Sequence, residues 1–135
     1  MRFLLDTNIC IYALKQNQTV LARLLAERPI DVGLSVITEA ELRTGAAKSA
    51  SAAKVTRLLE NFLLPLTVLE FTSDDALAYA AVRSKLEHAG TPIGPLDTLI
   101  AAQAVARKLT LVSNNERELK RVAGLHLENW ATHLA

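Results

Sequence analysis

The chain has few cysteines, few aromatic residues and no long apolar run, and each of these absences excludes a class of protein. Its single cysteine, Cys10, cannot form an internal disulfide, and no Cys/His spacing typical of a zinc site is present. Three phenylalanines, two tyrosines and one tryptophan are too few for a base-stacking RNA-binding sheet. No apolar run reaches the roughly 20 residues of a membrane span, and Asp6 follows Leu5 at once, which leaves no signal-peptide core. We therefore expect a cytoplasmic protein that does not enter the membrane.

Charge of neither sign dominates. Lys plus Arg number 15 and Asp plus Glu number 14, which gives a net charge of +1 and excludes a strongly basic nucleic-acid binder, although a local basic patch remains open. Half of the residues are apolar and the mean hydropathy is +0.21. With 135 residues, the chain is predicted to form one domain, residues 1–135, with an apolar face for a partner or a second copy.

Short apolar segments alternate with helical ones along the whole chain. Strands are predicted at residues 3–5, 30–34, 66–69 and 110–113, with a last one near residues 126–127, and amphipathic helices lie between them. This alternation predicts an α/β fold of three layers, α/β/α, around a central and mostly parallel sheet. The functional crevice of such a sheet lies at the carboxyl ends of its strands.

Three carboxylates occupy positions that otherwise favour apolar side chains. Asp6 ends the first strand, Glu41 lies on a helical face with Ile37, and Asp97 shares a helical stripe with Ile100. Each has an ordinary alternative: a helix cap for Asp6, a surface ion pair with a nearby Arg or Lys for Glu41, and a favourable first-turn position for Asp97. Glu39, two residues before Glu41, points away from it and is predicted to face solvent.

One shared explanation covers all three acids, because a pocket of carboxylates suits a hard divalent cation. Mg²⁺ and Mn²⁺ take oxygen ligands, and such ions activate water and neutralise charge on a phosphoryl group. The histidines, His88, His126 and His133, lie far from the acids in the sequence, so a zinc site has little support.

Four motifs in order along the chain resemble those of the PIN-domain ribonucleases, and most closely the VapC-type toxins of bacterial toxin–antitoxin pairs. They are residues 4–8 (LLDTN), 37–45 (ITEAELRTG), 92–101 (PIGPLDTLIA) and 111–115 (LVSNN). The resemblance spans essentially the whole chain and implies a Mg²⁺-dependent endoribonuclease, with Mn²⁺ able to substitute. It implies that Asp6, Glu41 and Asp97 form the catalytic metal site.

The same resemblance assigns supporting roles to polar residues beside the acids. Thr7 and Asn8 match the polar pair next to the first acid, and Ser113 matches the Thr or Ser at the end of the last motif. Many PIN domains carry a fourth acid where this chain has Asn115, so we expect one well-bound ion. Glu118, one turn further, is the candidate to compensate.

The resemblance also implies a homodimer, a cognate VapB-type antitoxin and an RNA substrate, with the anticodon loop of initiator tRNA as the candidate target. Cationic side chains that could contact RNA phosphates are Lys48, Lys54, Arg57, Arg83, Lys85, Arg117 and Arg121.

Three other interpretations remain open from the sequence. A DNA nuclease could use the same metal chemistry, and a non-catalytic α/β binding module would tolerate the loss of the acids. A phosphoacceptor receiver domain has a similar size and element order. It would require adjacent acids after the first strand and a lysine after the last one, where this chain has Thr7 and Ser113.

Overall fold

Five short strands form one sheet in which each described pair of neighbours is parallel. The computed structural model describes residues 1–132, and in it the strand order is β3-β2-β1-β4-β5. The strands are β1 (Phe3–Leu5), β2 (Val32–Ser35), β3 (Thr67–Leu69), β4 (Thr110–Val112) and β5 (His126–Glu128). The predicted parallel sheet is confirmed. His133 and the end of the predicted domain lie outside the described residues.

Seven α-helices connect these strands in the described part of the chain. They are α1 (Thr7–Leu14), α2 (Gln18–Ala26), α3 (Val36–Lys48), α4 (Ala52–Leu63), α5 (Ser73–His88), α6 (Pro95–Arg107) and α7 (Glu116–Leu119). The strand predicted to begin at Ile30 begins at Val32, because a 3-10 turn at Pro29–Asp31 precedes it. Among the described residues, no helix is long and apolar enough to cross a membrane.

The side chains of β1 divide the core into two halves. Phe3 and Leu5 pack into one cluster with Ile9 of α1, whereas Leu4 packs into a second cluster with Ile100 of α6. Successive side chains of a strand point to opposite faces of the sheet, so helices must cover both faces. The predicted three-layer α/β/α architecture is confirmed.

A buried ion pair ties α5 to α6. Asp75 is fully buried in the first turn of α5, and its Oδ2 accepts a hydrogen bond from Nη2 of Arg107 at 2.9 Å. The same Oδ2 accepts from the backbone amide of Thr72 at 2.9 Å, which closes a capping box. Arg107 and Gln103 both donate to the carbonyl oxygen of Glu70 at 2.9 Å, so the charge of Asp75 is paired within a hydrogen-bonded network.

Candidate active site

Asp6 lies at the carboxyl end of the central strand, directly before α1. Its Oδ1 accepts a hydrogen bond from the amide of Ile9 at 3.0 Å, so it caps the helix. Its Oδ2 accepts a short hydrogen bond from the hydroxyl of Ser113, which follows the neighbouring strand β4. Only 5% of Asp6 is exposed to solvent. Asp6 is thus a helix cap through Oδ1, as one interpretation of the sequence predicted. Its Oδ2 is directed to Ser113 at the edge of the sheet.

Glu41 approaches Asp6 from α3. Ser35, at the end of β2, caps this helix, and β2 pairs with β1, so the helix starts beside the first strand. Oε1 of Glu41 accepts a hydrogen bond from the hydroxyl of Thr7 at 2.7 Å. The surface ion pair considered for Glu41 is absent from the described residues, because Arg43 binds Glu39 at 2.8 Å instead.

Asp97 lies in the first turn of α6, beside Asn115 and Glu118. Nδ2 of Asn115 donates to Oδ2 of Asp97 at 3.4 Å and to Oε2 of Glu118 at 3.2 Å. The amide nitrogen of Asn115 thus lies between two carboxylates, and its backbone amide donates to Oγ of Ser113 at 2.9 Å. Hydrogen bonds therefore connect Asp6 to Asp97 through Ser113 and Asn115.

The electrostatics of the acids show that they lie close together. Burial raises the pKa of Asp6 to about 6, against hydrogen bonds from Ser113 and Ile9 that lower it, and the charges of Asp97 and Glu41 raise it further. Burial also raises the pKa of Asp97, with added repulsion from Glu118 and Glu41. In residues 1–132, none of these four acids forms an ion pair.

The donor set suits a hard divalent cation, although the acids do not form a closed cage. Residues 1–132 contain no group of three or more His, Cys, Asp or Glu side chains that could by itself hold a metal ion. Mg²⁺, however, is commonly bound by one or two carboxylates, with water and substrate phosphate completing the shell. Asp6 is buried and the other acids are partly buried. Carboxylates that repel one another and lack a cationic partner in such surroundings fit such an ion, because unpaired charge away from water is costly.

Most of the residues singled out in the sequence gather at one edge of the sheet. Asp6, Glu41, Asp97 and the polar residues Thr7, Ser113, Asn115 and Glu118 form one hydrogen-bonded or electrostatically interacting group. Asn8 lies on the exposed side of α1, and its side chain makes no hydrogen bond to another described residue.

Sequence reasoning missed a second polar group at the same edge. Nδ2 of Asn114 donates to the hydroxyl of Tyr12 at 3.2 Å, and Nδ2 of Asn129 donates to Oδ1 of Asn114 at 3.0 Å. The sequence could have indicated Asn114, because it lies within the LVSNN motif. Tyr12 carried no comparable signal, because it lies 102 residues away from Asn114 in the sequence.

The comparison with protein families identifies the fold of this chain. Residues 3–125 match the PIN domain model. The chain is 35% identical over 130 residues to the tRNA(fMet)-specific endonuclease VapC of Salmonella typhimurium, covering 96% of this chain and 98% of that protein. It is 38% identical over 133 residues to Ribonuclease VapC2 of Rickettsia felis, with 96% and 98% covered.

Solved structures give the same result. The DNA-bound VapBC of Salmonella typhimurium matches with a TM-score of 0.92 at 35% identity, covering 96% of this chain and 98% of that one. VapBC2 of Rickettsia felis, bound to a promoter DNA fragment, matches with a TM-score of 0.88 at 38% identity, covering 96% and 99%. PIN-domain ribonucleases generally depend on divalent metal ions. The chain belongs to the PIN domain family and, within it, to the VapC ribonucleases.

Proposed function

We propose that this chain is a Mg²⁺-dependent endoribonuclease, with Mn²⁺ able to substitute, and that it is the toxin of a VapBC-type toxin–antitoxin pair. The observation that carries the proposal is the buried, unpaired Asp6, which lies within electrostatic reach of Glu41 and Asp97 in a VapC-family fold. A carboxylate with such a raised pKa and no cationic partner is typical of a functional site.

The proposed reaction is hydrolysis of an RNA phosphodiester. Asp6 and Asp97 would hold the ion directly, and Glu41 would bind through water or orient the attacking water. When bound, the ion supplies an activated water and neutralises charge on the phosphoryl oxygens. By family resemblance, the products carry 5′-phosphate and 3′-hydroxyl ends.

Neighbouring polar residues orient the carboxylates before any ligand arrives. Ser113 fixes Oδ2 of Asp6, Thr7 fixes Oε1 of Glu41, and Asn115 sets the separation of Asp97 and Glu118. Mutation of residues that orient metal ligands in this way commonly lowers activity or metal affinity by roughly ten- to a hundredfold. Asn8, exposed beside Asp6, is assigned to the scissile phosphate.

The substrate proposed is RNA, and initiator tRNA is the first molecule to test. The relative from Salmonella typhimurium is named a tRNA(fMet)-specific endonuclease, and the alignment with it covers 96% of this chain. This identity supports a shared substrate class, and the anticodon loop is the proposed target region.

We also propose a VapB-type antitoxin partner, a homodimer and a cytoplasmic location. A groove of about 300 Å³ between α2 and α4 is lined by Leu24, Leu25, Phe62 and Leu66, and Leu64 is 85% exposed nearby. Such apolar surface supports a helical or extended partner segment. The solved VapBC complexes of the two relatives support the antitoxin assignment.

The test compares two glutamates on one helix. E41Q should lower Mg²⁺-dependent cleavage of initiator tRNA by about a hundredfold or more, because it removes a charge at the acids, and EDTA should stop the wild-type reaction. E39Q is the matched control, since Glu39 binds Arg43 outside the site, and it should cut at the wild-type rate.

Two outcomes would contradict the proposal: an E41Q protein that cuts at the wild-type rate, or a wild-type protein that cuts no RNA with Mg²⁺ present. Digestion of duplex DNA alone in the parallel reaction would favour the DNA nuclease interpretation instead.

A further inference from the structure

A pair of uncharged hydrogen-bonding side chains lies beside the acids. Asn114 is exposed and directly follows Ser113, whose hydroxyl holds Asp6. Its Nδ2 donates to the hydroxyl of Tyr12, on the helix that Asp6 caps, at 3.2 Å. We refer to these two residues as the Tyr12–Asn114 pair. One member follows the serine that binds Asp6, and the other lies on the helix that Asp6 caps.

Packing and hydrogen bonds hold the pair in place without using all of its donors. The ring of Tyr12 packs against the core, and Oδ1 of Asn114 accepts from Nδ2 of Asn129 at 3.0 Å. The Tyr12 hydroxyl accepts from Asn114, and its own hydrogen meets no acceptor among the described residues. The second Nδ2 hydrogen of Asn114 likewise meets none in residues 1–132. The pair therefore keeps two neutral donors in reserve.

The proposed chemistry leaves a selectivity problem that such donors can solve. Water is the nucleophile in the hydrolysis, so the 2′-hydroxyl of RNA takes no part in bond making or breaking. The same acids would cut a DNA phosphodiester equally well. A binding contact to the 2′-hydroxyl, the group that distinguishes the two polymers at a given nucleotide, can supply the selection of RNA.

Other hydroxyls and amides named at this edge already have roles, since Asn8, the one without a side-chain hydrogen bond to a described residue, is assigned to the scissile phosphate. Thr7 binds Glu41, Ser113 binds Asp6, and Asn115 binds Asp97 and Glu118. We propose that the Tyr12–Asn114 pair hydrogen-bonds the 2′-hydroxyl of a nucleotide next to the scissile phosphate and thereby makes the enzyme select RNA over DNA. This inference rests on the proposed ribonuclease function.

The experiment crosses protein variants with substrate variants. The probe is a synthetic RNA hairpin that the wild-type protein cuts, together with versions carrying one 2′-deoxy nucleotide on either side of the mapped cut. The wild-type kcat/KM should fall about three- to tenfold for one of these substitutions, which is the loss of one hydrogen bond. Y12F or N114A should lower the rate on the all-ribose hairpin, and the deoxy substitution should then cost less than it does in the wild type; in the double variant Y12F/N114A it should cost nothing more.

Lys15 supplies a matched control on the same helix. It is exposed one turn beyond Tyr12 and forms no ion pair with another described residue. Any contact it makes is to phosphate, which RNA and DNA share, so K15A should change the rates on ribose and deoxyribose hairpins by the same factor. Melting temperatures of all variants check that each one is folded.

The outcomes separate this inference from the proposed function. If wild-type protein cuts RNA but Y12F and N114A keep its full sensitivity to the deoxy substitution, the inference is overturned and the function stands. Wild-type cleavage that is indifferent to both deoxy positions overturns it equally. A wild-type protein that cuts no RNA removes the function and the inference together.

Discussion

Two buried aspartates in this chain differ in their hydrogen-bond and ion-pair partners, and the difference indicates a separate role for each. Asp75 is fully buried and binds Arg107, and Asp6 is 5% exposed and has no cationic partner in the described structure. Burial alone would raise the pKa of Asp75, but hydrogen bonds from Arg107 and Thr72 outweigh it and lower the pKa below the ordinary 3.8. For Asp6, burial is not offset, and its pKa is raised to about 6.

The difference separates a structural charge from a functional one. When a buried charge is paired, removing either partner destabilises the fold. An unpaired buried charge, in contrast, itself costs folding free energy. The fold tolerates that cost at Asp6, where a strand end, Glu41 and Asp97 meet. The four predictions that follow test this contrast in order of decreasing effect.

The largest effect is expected when Asp6 is neutralised. D6N should reduce Mg²⁺-dependent RNA cleavage by roughly a thousandfold or more, because several kcal/mol of charge stabilisation are lost. Its free energy of unfolding in EDTA should equal or exceed that of the wild type, since a repulsive buried charge is removed. Cleavage assays and urea unfolding measure the two quantities, and a D6N protein that is inactive only because it is unfolded would contradict the account.

Neutralising Asp75 should give the opposite pattern. D75N removes the partner of Arg107 and should lower the free energy of unfolding by about 3 kcal/mol. The folded fraction should keep wild-type activity per molecule, because the ion pair joins α5 to α6 away from the acids. Urea titration measures the free energy of unfolding, and cleavage rates divided by the concentration of folded protein measure the activity. An unchanged free energy of unfolding would show that the ion pair contributes little to stability.

The pH dependence of stability should differ in sign for the two residues. Because the folded pKa of Asp6 is above its ordinary value, the metal-free protein should gain on the order of 1–1.5 kcal/mol as the pH falls from about 7.5 to about 5. Asp75 has a lowered pKa, so its contribution is present above the ordinary value of 3.8 and is lost as the pH falls below it.

Urea midpoints in EDTA measure this profile. D6N should remove the part of the gain that comes from Asp6, while the part from Asp97, whose pKa is also raised, and the loss at lower pH stay in place. A wild-type protein that becomes less stable on going from about pH 7.5 to about pH 5 would contradict the raised pKa of Asp6.

The smallest effect is expected at the hydroxyl that orients Asp6. S113A removes the hydrogen bond to Oδ2 of Asp6 and should lower kcat by about tenfold, with the fold retained. S49A is the control, since the Ser49 hydroxyl accepts only from the backbone of Ser51 at the end of α3. Equal rates for the two variants would show that the orientation of Asp6 does not matter.

The sequence predicted the site through periodicity and strand ends. The 100° step of a helix separated Glu41 from Glu39, and the structure places Glu41 on Thr7 and Glu39 on Arg43. Ile100 is buried on the same helix as Asp97, as the apolar stripe indicated. Helix geometry determines this separation of the two glutamates, although the side chain of Glu39, predicted to face solvent, is only 21% exposed in its ion pair with Arg43.

The missed feature depends on a contact between distant segments. Asn115 and Glu118 were expected beside the acids only from the family resemblance, because no local pattern encodes the bonds from Asn115 to Asp97 and Glu118. The contact between Tyr12 and Asn114 depends on the pairing of β1 with β4, and neither periodicity nor resemblance predicted it. The start of β2 was misplaced because Pro29 favours a turn ahead of the apolar run.

The most direct test of the account is calorimetric titration of Mn²⁺ into the purified wild-type protein and its D97N variant at neutral pH. The account predicts saturable binding to the wild type and a loss of at least about tenfold in affinity for D97N, because an oxygen ligand and a charge are removed together. Equal binding to both proteins, or no saturable binding to the wild type, would contradict it.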